Sequence, residues 1–85
     1  MSASTARYFF DTVKDGVRTT DDIGLTLADR DAVRRQAVAA LPEMAVDALP
    51  NGSSHDFSVE VRDEHGTRLF RAELSFRSHW LDRGD

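Results

Sequence analysis

Eighty-five residues leave no length for two cores, because a chain this short buries only about 60 to 65% of its unfolded surface, so one domain is expected. A composition 40% apolar and 31% charged excludes a disordered or fibrous chain. Fifteen acids against eleven bases give a net charge of -4, which repels a phosphate backbone, so nucleic acid is not an expected partner. Lys14 is the one lysine among the eleven bases, a bias read here as coding preference rather than as a set of arginine forks. The absence of cysteine excludes disulfides and thiolate metal sites and suits a reducing cytoplasm, where the protein is expected to work. The opening residues carry neither the basic region nor the apolar run of a secretory signal, and no stretch is long and apolar enough for a bilayer, so no membrane association is expected.

In chain order, residues 1–6 are small and polar and read as a frayed tail. Arg7 to Val13 is rich in aromatic and β-branched residues and reads as a strand. Lys14-Asp15-Gly16 follows as a tight turn in which glycine supplies positive φ. Val17 to Thr20 pairs back, and Asp21-Asp22-Ile23-Gly24 breaks the ladder before the short alternation Leu25-Thr26-Leu27, so the second arm reads as short or bulged. From Asp29, a plausible N-cap, Val33, Ala37, Ala40, Leu41, Met44, Ala45, Ala48 and Leu49 recur at helical steps. Pro42 sits inside that stripe and is expected to kink the helix, and Pro50 with Asn51-Gly52 ends it. Phe57, Val59 and Val61 alternate with polar residues, a turn follows at Asp63 to Gly66, and Phe70, Ala72, Leu74 and Phe76 alternate again. The expected fold is α+β: an antiparallel sheet of about four strands in ββαββ order, with one long, Pro-kinked helix on one face. The domain spans 7–81, and 82–85 form a C-terminal tail.

Arg7-Tyr-Phe-Phe with Asp15-Gly16, Asp22-Ile-Gly24, Ala40-Leu-Pro-Glu-Met-Ala45, Asp47-Ala-Leu-Pro50 and Val59-Glu-Val-Arg-Asp63 with Gly66 together set a pattern over residues 7 to about 81. In this pattern the chain resembles a family of small bacterial domains of unknown function. The resemblance implies the same fold and brings with it no activity, substrate or cofactor.

Asp11, Asp15, Gly16 and Asp22 fall on positions one, five, six and twelve of a calcium loop, and they are the available metal candidates. Val13 occupies the third ligand position, Asp22 replaces the bidentate glutamate, and the flanks read as strands, so a plain hairpin is the expected reading. His55, His65 and His79 have no partners at zinc-ligand spacing and read as surface histidines. No nucleophile elbow or phosphate-binding glycine loop occurs, so no catalytic residue and no cofactor is assigned and the protein is expected not to be an enzyme. Arg83-Gly-Asp85 is read as a coincidental match to an adhesion tripeptide. Arg62, Arg68 and Arg71, interleaved with Glu60, Glu64 and Glu73, are expected to form cross-strand ion pairs rather than an anion site.

Adjacent strand residues point to opposite faces, so Phe9 and Phe10 cannot both lie under one helix. The other aromatic needs a cover, and Trp80 and Leu81, costly to leave in water, are candidates to fold back on it; a second subunit is the alternative. Phe9, Phe10, Trp80 and Leu81 are therefore the expected interaction surface, with a homodimer or an unidentified protein as partner. The expected function is a noncatalytic interaction or dimerisation module. An antitoxin-like regulatory binding protein is the alternative, resting on a layout similar to partial RNase H-like antitoxin domains, and a small metal-binding protein or enzyme comes after it.

Overall fold

A computed structural model describes residues 6–82. The chain runs β1 (Ala6–Lys14), β2 (Val17–Thr19), β3 (Leu25–Leu27), α1 (Arg30–Ala48), β4 (Ser54–Arg62) and β5 (Arg68–Arg77). The described residues form an α+β domain with one helix on a five-stranded antiparallel sheet of order β2-β1-β4-β5, and β3 also pairs with β1. Two short strands share the outer side of β1: β2 takes Thr12 to Lys14, and β3 takes Ala6 to Tyr8. The fifth strand corrects the expectation of about four. It arises because β1 is nine residues long and β2 covers only its last three, leaving the first half free to pair. Ala6 belongs to this sheet, opposite Leu27, so strand order begins one residue before the expected boundary. The rest of the expected N-terminal tail, and Arg83-Gly-Asp85, lie outside the described residues.

The β1–β2 turn needs two consecutive positive φ angles, and Asp15 at 49° and Gly16 at 84° supply them. That is the mirror-image turn whose twist matches a hairpin, and aspartate and glycine are the residues that tolerate it. Asp29 caps α1 as expected, its Oδ1 accepting from the Ala32 N–H at 2.8 Å. The helix then runs unbroken through Pro42 to Ala48. Pro42 is exposed on the outer side, and the carbonyl it leaves unpartnered belongs to Val38, one of the exposed apolar residues, so water can take its place.

Val33, Ala37, Leu41, Ala45 and Ala48 form the buried stripe of α1 and meet Phe57, Val59 and Val61 of β4. Three alanines in that stripe let the helix sit close to the sheet, and each buried β4 side chain contributes about 1.5 to 3 kcal/mol. Phe10, opposite Val61 in register, lies on this face and packs against the core with Tyr8, Leu27, Phe70 and Ala72. No helix among the described residues is long and apolar enough to cross a membrane.

Candidate functional site

The sheet's second face is built by the residues between the apolar ones. Register places Asp11 directly opposite Glu60, and both carboxylates are buried, at 5% and 4% exposure. Two acids facing each other across a ladder repel unless cations intervene. Arg18 from β2 straddles them, with one terminal nitrogen 2.8 Å from Glu60 and the other 3.7 Å from Asp11. Arg62 lies on Asp11 through Nε at 3.0 Å, and Arg71 lies on Glu60 through Nε at 3.1 Å. Arg68 stands 3.5 Å from Glu60. The Arg18 and Arg71 hydrogen bonds hold Glu60 at a pKa of about 2. Burial pushes Asp11 upward, but Arg62, the Asp21 N–H and the charge of Arg18 outweigh it and keep it below the ordinary carboxylate value. Of the three arginines expected to pair with the interleaved glutamates, Arg68 and Arg71 pair with Glu60 across the hairpin, whereas Arg62 pairs with Asp11.

A strap of residues 20–24 closes the gap between β2 and β3 on the same side of β1. The Asp21 carboxylate accepts from the N–H groups of Phe10, Ile23 and Gly24, and the Asp21 N–H donates to Asp11 at 2.9 Å. Burial opposes ionisation of Asp21, and the three N–H donors with Arg62 nonetheless hold its pKa down. Arg62 also donates to the Asp21 carbonyl at 2.6 Å and lays its guanidinium 4.7 Å over the Phe9 ring. Gly24 presses from the strap side, where an added Cβ would stand 3.0 Å from Phe9 Cε2, Arg7 Cγ and the Tyr8 carbonyl. Phe9 and Phe10 thus take opposite faces, and the cover of Phe9 is an arginine and a strap within the chain.

That arrangement corrects the expectation that Trp80 and Leu81 fold back on the second face. They are 76% and 86% exposed, and Trp80 borders an open depression with Ser53, Ser78 and His79. The structure brings Phe9 and Phe10 to neither of them. The chain after β5 turns toward the β4 entry, where Ser78 N–H donates to the Ser53 carbonyl at 2.7 Å.

His55 is the second correction, for its side chain is only 12% exposed rather than free at the surface. Its Nδ1 stands 2.6 Å from Asp15, its Nε2 meets the Asn51 carbonyl, and its ring stacks with those of Phe57 and Phe76. Two acceptors on one ring favour the doubly protonated form, and the Asp15 contact raises the pKa above the ordinary 6.5. The same contact lowers that of Asp15, helped by the Asp56 N–H. Asp11, Asp15 and Asp22 do not converge: the first is held by arginine and the second by His55, while Asp22 is exposed. Among the described residues no three carboxylates or histidines lie together as a metal would require. The oxygens of Asp11 and Glu60 are engaged by guanidinium groups, and Glu60 is held at a pKa of about 2.

The remaining open feature is β5, the terminal strand of the sheet, with one side unpaired among the described residues. Phe70, Ala72, Leu74 and Phe76 line its helix face, and Arg71, Glu73 and Ser75 its other face. Sequence reasoning missed this edge because strand order cannot be read from alternation. It also missed the Asp11–Glu60 pair, whose signal is two acids at matching positions of strands flanked by arginines.

Fold and site together define a small helix-on-sheet domain whose second face is sealed by an arginine–carboxylate network and whose last strand is an open edge. The chain belongs to the family described as a domain of unknown function, DUF6894, whose model matches residues 7–75. No curated protein and no solved structure matches it.

Proposed function

We propose that the domain is a noncatalytic protein-interaction module of the cytoplasm, acting through the β5 edge and the Trp80–Leu81 segment that follows it. The observation that carries the reading is a ten-residue strand with one side unpaired among the described residues, bearing Leu74 at 38% exposure and followed by two large exposed apolar side chains. Such an edge offers a row of backbone donors and acceptors to another chain, and its alternating side chains select what pairs there. The buried ionisable groups support the same reading, since Asp11, Glu60 and His55 are bound up in contacts that hold strands, strap and turn together.

Affinity capture from the native host tests it, with tagged wild type beside a Trp80→Ala/Leu81→Ala variant and a Glu73→Arg variant. Polypeptides retained by the wild type, a second copy of the chain included, should be lost from one or both variants while all three baits remain folded. An identical retained set in all three would sink the proposal.

A further inference from the structure

We infer that the β5 edge pairs with the β5 edge of a second copy of this chain, antiparallel about a two-fold axis at Ala72, to make one continuous sheet. The inference rests on the reading of the domain as an interaction module and names its partner.

The two edges of the sheet are treated differently. On the far side, β2 and β3 are three residues each, and the strap between them is pinned by Asp21 and Arg62. Short edge strands are one of the ordinary protections against pairing, as are proline and lysine. β5 has ten residues and contains neither proline nor lysine. Its one irregularity is at the start, where Val61 pairs with Phe70 and Arg62 with Arg68, so that Leu69 is extra and the regular edge begins at Phe70. α1 packs chiefly over β4 and leaves the rim of β5 open.

Charge suits a second copy of the chain and narrows the register. An axis at Ala72 sets Arg71 opposite the partner's Glu73 and Glu73 opposite the partner's Arg71, two ion pairs on the outer face. It also sets Phe70 opposite the partner's Leu74, twice, on the helix face, where Ala72 meets its own copy. Moving the axis to Arg71 or Glu73 opposes that charge to itself, and moving it to Leu74 opposes Arg71 to the partner's Arg77. Opposite charges across a ladder stabilise and like charges destabilise, so among axes from Arg71 to Leu74 the one at Ala72 is favoured. An axis at Ser75 would also set opposite charges together, Glu73 with the partner's Arg77, but Arg77 already stands 3.3 Å from Asp56 of its own chain, and Ser75→Cys reports that register. With the axis at Ala72, each side chain from Phe70 to Leu74 meets a complementary one, and the contact is the same read from either chain, as a two-fold requires. Glu73 is well exposed, and Arg71, bonded to Glu60 through Nε and one terminal nitrogen, has a second terminal nitrogen 3.7 Å from Glu73 on its own chain. A guanidinium fork suits two carboxylates at once.

The chain has no cysteine, so single cysteines report the register without background. Ala72→Cys should give an interchain disulfide under mild oxidation, because facing residues of an antiparallel pair have Cα atoms about 4.5 to 5.5 Å apart, within the roughly 4.4 to 6.8 Å that a disulfide spans. Ser75→Cys should give none, since its copy would stand about 20 Å away. Sedimentation equilibrium at about 100 μM should show a wild-type dimer, which Glu73→Arg and Arg71→Glu each weaken about tenfold or more. Mixing these two variants should restore the dimer, because each then faces the opposite charge; misfolding cannot produce that rescue. If Arg71→Glu fails to fold beside Glu60, the cysteine pair and Glu73→Arg decide. A monomeric wild type without an Ala72→Cys disulfide overturns the inference, and so does equal cross-linking at both cysteines. If that happens while the capture experiment still loses its partner in the variants, the interaction module stands and its partner is a different protein.

Discussion

At the scale of single residues, the stability of this domain hangs on charges that the sheet hides. Replacing Glu60 by Gln leaves Arg18, Arg68 and Arg71 converging on a neutral amide, and should destabilise the fold by about 1 to 3 kcal/mol in urea titration, the arginines being partly solvated. The pH profile follows from two signs. Glu60, lowered from 4.5 to about 2, contributes stability that is complete above pH 4.5 and lost as pH falls toward 2. His55, raised above 6.5, contributes stability that is complete below pH 6.5 and lost as pH rises through its folded value. Thermal melts should therefore peak between about pH 4.5 and 6.5. His55→Gln should flatten the decline on the alkaline side, and an unchanged decline would assign it to another group. The sequence announced the alternation around Glu60 but not its burial, since a polar position on a strand reads as solvated until the cross-strand neighbour and the arginines over it are known. Asp11 was open to a calcium reading for the same reason: a carboxylate's partner is a matter of register.

At the scale of elements, what was legible depended on whether the deciding interactions are local. The α1 cap, the β1–β2 turn and the β4–β5 hairpin depend on residues a few positions apart, and the sequence placed all three. β3 depends on a partner some nineteen residues back, Leu27 against Ala6 being 21 apart and Leu25 against Tyr8 17 apart, and three residues are too few to declare a strand by period. The strap that delivers β3 makes the sharper prediction. Gly24→Ala meets backbone and ring atoms at 3.0 Å and strains a φ of 79°, whereas Gly16→Ala meets nothing within 4 Å and strains only its φ. The first should cost about 2 kcal/mol or more and the second about 1 kcal/mol, and equal losses in denaturant titration would mean that the strap is not packed on Phe9. Pro42→Ala returns an N–H to the Val38 carbonyl at an exposed site and should stabilise the protein by about 1 to 3 kcal/mol by the same measurement.

At the scale of the whole molecule, the problem posed by adjacent Phe9 and Phe10 is solved inside the chain, and that decides what the C-terminal segment is free to do. A one-helix domain cannot cover two apolar faces with helices, so the second face is made polar, with Phe9 sealed under Arg62 and Gly24. Trp80 has no structural duty left there. Had it been docked on the sheet, Trp80→Ala would cost about 3 to 5 kcal/mol. As it stands at 76% exposure, the substitution should change stability by less than about 0.5 kcal/mol. Trp80 is the only tryptophan, so the native emission reports this position directly and should be that of a solvated indole in dilute solution, shifting little on unfolding. A strongly blue-shifted native spectrum in the monomer, or a large loss of stability in the variant, would return Trp80 to the core and remove it from the surface available to a partner. A solvated indole together with an unchanged melting temperature leaves Trp80 exposed beside an edge unpaired among the described residues, which is the condition the interaction reading requires of this surface.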